Sequence, residues 1–224
     1  MEVVVEGFVR RLGIFASYVW CDGVRVEVGR PDVRVFLDSA VRSISSTYSI
    51  EGLKEHPVVR AYRNVMWRLG IDPTKVRPSS EALVRRVLRR GSIPSINSLV
   101  DICNVASMET LIPISVFDMG SVKPPLTLRR AVTNEEFVDL SGKSRRLSGR
   151  EVVLADSSGR VLHLYPHKDS IHASINEGTS KVLVVSYGAP GIPKALVSGA
   201  AARTSTYIAR FYPAARCSSV EVSA

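Results

Sequence analysis

No apolar run in this chain approaches the ~20 residues needed to cross a membrane. The opening Met1-Glu2-Val3-Val4-Val5-Glu6 lacks the basic start and apolar stretch of a secretion signal. The expectation is a cytoplasmic protein with no membrane partner. Cysteine is scarce. Cys21, Cys103 and Cys217 are odd in number and far apart, and no pair has metal-ligand spacing, which predicts reduced thiols. No segment is of low complexity, no internal repeat recurs, and no linker forces a division, so residues 1–224 read as a single domain. A phosphate-binding P-loop, a dinucleotide fingerprint and a nucleophile elbow are all missing. Histidine is limited to His56, His163, His167 and His172. The last three lie in strand and loop sequence, where their spacing does not bring the rings onto one face. Asp169 is the one carboxylate close to them, so neither a metal nor another cofactor is expected.

What is present is positive charge. The net charge is +9, and 23 arginines stand against 7 lysines. Arginine forms forked contacts to phosphate and stacks on bases, so a polyanion such as a nucleic acid is the partner that the charge suggests, though basic proteins without one are common. Hydrophobic residues at 45% and charged residues at 23% are those of a packed globule, and they exclude disorder.

The pattern is α+β. Residues 2–28 read as strands broken by Gly7, Gly13 and Gly23. Helical spacing follows over Asp32–Ser45 and Ile50–Leu69, the second divided at His56-Pro57 and stopped by Gly70. Ser79 is placed to cap a helix running to Arg90 and ending at Gly91, and a further helix spans about Asn97 to Met108. Short β-prone runs then recur at Leu126–Ala131, Val152–Ala155, Val161–Tyr165 and Val182–Tyr187, with Ser157-Ser158-Gly159 as a hairpin turn. Pro193–Phe211 reads as a closing helix.

Two helices have informative faces. On the first, Leu83, Val84, Val87 and Leu88 cluster opposite Arg85, Arg86, Arg89 and Arg90, which predicts four solvent-facing guanidinium groups suited to a polyanion. The bland alternative is a solvated face in which Glu81 pairs with Arg85. On the second, Leu99, Ile102, Cys103 and Ala106 share one side and Asn97, Asp101 and Asn104 the other. Those three polar groups either line a pocket or serve the helix start, where Ser98 with Asp101 resembles a capping box.

These residues also carry a resemblance. Asn97-Ser98-Leu99-Val100-Asp101-Ile102-Cys103-Asn104 resembles an Asn-x-x-Val-Asp-Ile-Thr-Asn stretch of the phenylalanyl-tRNA synthetase beta subunit. Pro113-Ile114-Ser115-Val116-Phe117-Asp118 looks like the Pro-x-His-Ala-Phe-Asp element that follows it. Arg77-Pro78-Ser79, Val138-Asp139-Leu140-Ser141-Gly142 and Val152-Val153-Leu154-Ala155-Asp156 are similar to further elements in the same order. The likeness runs from about Arg77 to Tyr187, with residues 1–76 as an extension of the same globule. In free-standing relatives a segment like Tyr62-Arg63 and Leu69-Gly70-Ile71-Asp72-Pro73 precedes the Arg-Pro-Ser. The domain so marked is the B-three/B-four editing domain.

The resemblance implies a mixed sheet core with flanking helices and a pocket between them. It also implies handling of a tRNA, of the aminoacyl group attached to it, or of a free amino acid. In the synthetase this domain removes tyrosine wrongly attached to the phenylalanine tRNA. Two departures bear on chemistry: Ser115 stands where the synthetase has a pocket His, and about Val185 where it has a Glu. The implied pocket candidates are Asn97, Asp101, Asn104, Ser115, Asp118, His163 and His167, with Ser115 pointing into the cleft. The RNA-contact candidates are Arg77, from the recognised Arg-Pro-Ser element, and Arg85, Arg86, Arg89 and Arg90, from the charged helix face. Three functions follow as alternatives: an RNA-binding module, a deacylase of mischarged tRNA, or a binder of a free aromatic amino acid.

Overall fold

In a computed structural model that describes residues 2–223, two five-stranded sheets and their flanking helices form three layers. Along the chain come β1 (Val3–Val5), α1 (Gly7–Arg11), β2 (Phe15–Asp22), α2 (Pro31–Thr47), α3 (Ile50–Glu55), α4 (Pro57–Arg68), α5 (Ser79–Arg90) and α6 (Ser98–Thr110). Then follow β3 (Ile114–Asp118), β4 (Leu126–Arg130), β5 (Glu136–Val138), β6 (Ser144–Arg146), β7 (Val152–Ala155), β8 (Val161–Leu164) and β9 (Lys168–Asp169). A 3-10 turn (Ile171–Ala173), β10 (Lys181–Gly188), α7 (Lys194–Phe211), β11 (Arg216–Cys217) and β12 (Glu221–Ser223) complete it.

One sheet has the order β1-β4-β7-β8-β9, mixed because β1 runs parallel to β4. The other has the order β11-β2-β10-β3, with β12 also on β2. β10 is buried along nearly its whole length, as its unbroken apolar run requires of a central strand covered on both faces. Leu183, Val185 and Tyr187 meet the first sheet, and Val182 and Val184 meet α6 and α7. A third apolar cluster joins α2, α5 and α6. α6 therefore packs between α2, α5, α7 and β3, and is buried nearly all round.

The signals that divide and stop helices held at His56-Pro57 and Gly91. His56 ends α3 and caps α4, its Nδ1 accepting from Val58 N at 3.3 Å, so the His-Pro pair divides the helical run. Gly91, at φ 66°, ends α5 in the left-handed conformation that a side chain would resist. Ser79 does not cap α5. Pro78 occupies that position, and the Ser79 N–H donates to the Pro166 carbonyl. The predicted strand at 24–28 is absent, and α1 interrupts the N-terminal β run.

The expected reduced thiols are also corrected. β11 lies beside β2 with Cys217 opposite Cys21, and the two form a disulfide across 196 residues. Sheet register brings them together, and spacing along the chain could not reveal it. The cytoplasmic expectation loses the support it drew from reduced thiols. Among the described residues no helix is long and apolar enough to cross a membrane.

Candidate functional site

β3 closes one edge of its sheet and β9 closes one edge of the other. Where these edges meet, beneath the first turns of α6, lies a cavity of about 360 Å³. Val100, Cys103, Ile114, Val116, Phe117 and Ile175 supply an apolar wall, and Leu140 stands exposed beside it. Asn97, Asn104, Asp169, Ser170 and Ser174 bring polar groups to it.

Of the predicted polar trio on α6, two members serve the helix. Asn97 is its N-cap, with Oδ1 accepting from Val100 N at 3.0 Å. Asp101 is buried, and its carboxylate accepts from Ser95 Oγ at 2.5 Å and Ile96 N at 2.9 Å. Burial raises the Asp101 carboxyl above its ordinary range, against the lowering by these two donors. The helix start is therefore held by the Asn97 cap and by Asp101 bonding back to Ser95 and Ile96, and Ser98 forms no capping box, its Oγ accepting from Glu27 N and Tyr212 Oη. Asn104 is left as the polar group of this helix that turns to the cavity, half-buried and without a side-chain hydrogen bond among the described residues.

The aspartates of the recognised sequence elements behave alike. Asp118 holds the turn after β3 by accepting from Gly120 N and Ser121 Oγ. Asp139 accepts from Ser141 N and Lys143 N and pairs with Lys168 Nζ at 2.7 Å, which presents Leu140 to the cavity. Lys168, then Ser141, hold the Asp139 carboxyl well below the usual carboxylate range. Asp156 holds the β7–β8 turn through Ser158 and Arg160. None of these reaches the cavity. Asp169 does, and it belongs to none of those elements.

Asp169 is the outer member of a compact polar cluster. Ser115 Oγ donates to Asp169 Oδ1 at 2.6 Å, and His163 Nδ1 lies 2.7 Å from the same oxygen. A carboxylate oxygen only accepts, so Nδ1 carries the ring hydrogen. Ser115 Oγ is 3.2 Å from Nδ1. The His163 ring stacks flat on Tyr187, 4.3 Å between centroids and 6° between planes. Tyr187 is held in turn by Tyr62, whose hydroxyl donates to the Tyr187 carbonyl at 2.5 Å. The expectation that Ser115 points into the cleft is corrected. It shares a strand face with Phe117 toward the first sheet, is 2% exposed, and touches the cavity only through Asp169. The imidazole that the resemblance places at position 115 enters instead from β8, as His163.

This is not a nucleophilic triad. Serine and carboxylate both sit on the Nδ1 side of the ring, while Nε2 is buried without a partner. The base nitrogen faces away from the hydroxyl, so Ser115 is not activated for attack. The cluster can instead fix one carboxylate at the wall of a largely apolar cavity, in a set direction.

His167 lies elsewhere, in a hollow of about 240 Å³ with Val76, Lys143, Arg145 and Lys168. Burial, then the neighbouring His163 and Arg145, push its imidazole from the ordinary 6.5 down to about 4. Between those values the unfolded chain takes up a proton that the folded chain refuses, so stability falls as pH drops from about 6.5 to about 4. In His167→Asn that part of the fall is expected to vanish. Urea midpoints measured on both proteins across that window check it, and equal slopes would refute it.

The predicted arginine face divides. Arg86, Arg89 and Arg90 are exposed as expected, but Arg85 is buried, its side chain only 8% exposed. Beneath it Glu81 is fully buried, and Arg63 takes both its oxygens at 2.8 and 2.6 Å. The alternative of a solvated face with Glu81 beside Arg85 is met in the pairing, at 3.8 Å, but not in the solvation, since both side chains are buried. The hydrogen-bonded partner, Arg63 on α4, lies 18 residues away, and nothing local to Glu81 in the sequence points to it.

The chain matches the B3/4 domain family over residues 61–210. It is 35% identical over 107 residues to the phenylalanine–tRNA ligase beta subunit of Zymomonas mobilis, covering 48% of this chain and 13% of that protein. To the same subunit of Nocardia farcinica it is 32% identical over 151 residues, covering 66% of this chain and 18% of that protein. It therefore spans a small part of the curated relatives it matches. Its fold is similar to that of an N-terminal fragment of the phenylalanyl-tRNA synthetase beta subunit from Pyrococcus horikoshii. The TM-score is 0.51 at 15% identity, covering 96% of this chain and 50% of that one.

Proposed function

This chain belongs to the B3/4 domain family, and on that premise we propose that it is a tRNA-associated protein that takes the aminoacyl end of a charged RNA into the cavity between β3, β9 and α6. The observation that carries the reading is the cavity itself. About 360 Å³ suits one small ligand group and is near the lower end of ligand pockets. Its apolar wall suits a side chain, while the Asn104 amide and the Asp169 carboxylate can pair with an ammonium, a hydroxyl or an ester oxygen.

The test is binding of aminoacylated against uncharged tRNA. Asn104→Ala is expected to weaken the charged form about tenfold, the equivalent of one hydrogen bond at ~1.4 kcal/mol. Its melting temperature should stay within a degree or two, because no hydrogen bond inside the protein is lost. Equal affinity for charged and uncharged tRNA would sink the reading.

One arrangement favours hydrolysis as a second reading: the carboxylate held by two donors at the cavity wall. An aminoacyl ester is already activated, and Asp169 is placed to orient one water against its carbonyl. Water oxygen bonds to the carbonyl carbon, its proton passes to the carboxylate, and the ribose oxygen leaves and regains a proton. The products are a free amino acid and a free hydroxyl. Asp169→Asn is then expected to lower ester loss by about 10²–10⁴, the span of general-base removal. Ser115→Ala, which removes one of two donors to Asp169, should lower it about tenfold. A time course on mischarged tRNA decides. If native protein matches the protein-free control while binding charged tRNA, hydrolysis falls and binding stands.

A further inference from the structure

The hollow on α5 has chemistry unlike that of the cavity. It measures about 380 Å³ and is lined by Lys75, Arg77, Arg85, Arg86, Arg89 and Arg90, with no carboxylate among its walls. Glu81, the acid nearest to it, lies buried and is occupied by Arg63. Arg77 Nε and Arg85 Nη1 stand 3.9 and 3.8 Å from Glu81 Oε1, beyond hydrogen-bond distance. As a result Arg85 buries Nε and Nη1, and Arg77 buries Nε, with no acceptor among the described residues. These inward nitrogens lean on the Glu81 carboxylate and hold the two guanidinium groups in place, while Arg85 Nη2 and both Arg77 Nη atoms make no hydrogen bond among the described residues and are left for an acceptor in the hollow. Six cations around one hollow also repel one another, and an anion would relieve that as well. Planar donor forks with unfilled positions, opening on concentrated positive charge, match a tetrahedral oxyanion.

We propose that this hollow is a phosphate-binding site, with Arg85 and Arg77 as its inner donors and Arg86, Arg89 and Arg90 around its mouth. The phosphate can belong to free phosphate or to a nucleic-acid backbone. Placement favours the backbone. Val76, between Lys75 and Arg77, lines the adjoining hollow with Lys143, Arg145 and Lys168. Two residues of that second hollow, Asp139 and Lys168, are chain neighbours of Leu140 and Asp169 in the main cavity. With Lys168 paired to Asp139, Lys143 and Arg145 extend the positive charge from α5 toward the cavity, as further phosphates of a strand entering it would need. That continuity rests on the aminoacyl reading above, whereas the phosphate site itself does not.

The experiment uses the full chain and two probes without an aminoacyl group. Inorganic phosphate is titrated by calorimetry, and a short single-stranded RNA by fluorescence anisotropy. Both are expected to bind, and phosphate should displace the RNA. Arg85→Met should weaken both at least tenfold. Because Arg85 is buried and its variant can lose the fold, Arg89→Ala provides an exposed change. It should weaken both several-fold and reduce the slope of log affinity against log salt by about one. Phosphate binding without RNA binding would keep the site and assign it to free phosphate. Failure to bind either probe, or affinities unchanged in both variants, overturns the proposal. Neither result bears on the cavity, whose test depends on the aminoacyl group.

Discussion

Glu81→Gln is expected to lower the stability of the folded chain by about 3–5 kcal/mol, the range for removing one partner of a buried ion pair. Glu81 is fully buried, Arg63 grips it with two hydrogen bonds, and Arg77 and Arg85 stand within 4 Å. Glutamine keeps the shape and one acceptor oxygen but removes the charge, leaving three guanidinium groups in a confined place with no counter-ion. In a chain of this size each kcal/mol moves the melting temperature by roughly 2–4 °C, so a fall of about 10 °C is expected. The cost should shrink in Glu81→Gln combined with Arg63→Met, since one stranded charge goes with it. Chemical denaturation of the three proteins measures this. A loss below about 1 kcal/mol would mean that solvent reaches the cluster and screens it as at a surface.

Opening the Cys21–Cys217 disulfide is expected to cost about 2–5 kcal/mol, the upper end being favoured by the 196 residues it spans. The tie matters because the C-terminal strands are short. β11 pairs with β2 through two residues and β12 through three, and beyond that pairing they are held by bonds of Ser218 to Trp20, Glu221 to Tyr18 and Ser223 to Val3. Reductant should shift the urea midpoint of the native chain and leave that of Cys217→Ser unmoved. Cys103 is buried and burial pushes its thiol up, which keeps it unreactive while the chain is folded. Thiol titration of unfolded, unreduced protein should therefore find one thiol. Finding three would remove the disulfide, and an unchanged midpoint on reduction would remove its contribution.

Much of the architecture was legible because its signals are local. A strand buried on both faces is an apolar run, as at Val182–Tyr187, and helix ends are set by a few residues, as at His56-Pro57 and Gly91. The Asn97–Asn104 and Pro113–Asp118 elements were recognisable as sequence, and the helix and strand that carry them do border the cavity. The roles inside those elements were less legible. Asn97, Asp101 and Asn104 fall on one helical face, yet two of them face donors belonging to the helix start. Helical periodicity gives direction around an axis and cannot say whether a ligand or a backbone N–H waits there. Arg85 shows the same limit. It lies on the charged side of α5, but Arg63 and Glu81 beneath that side turned part of it inward.

By itself the sequence determined the α+β class, the positions of most helices and strands, the concentration of arginine on α5 and the likeness to an editing domain. Each of these depends on residues a few positions apart or on composition. Tertiary structure alone decided that His163, 48 residues from Ser115, would share a carboxylate with it, and that Asp169 would bring that carboxylate to the cavity. It also decided that Cys21 would meet Cys217. The physical reason is that such meetings follow from the register and stacking of two sheets. A shift of one residue in β3 or β11 would turn the relevant side chain to the opposite face, and nothing local to Ser115 or Cys217 specifies that register.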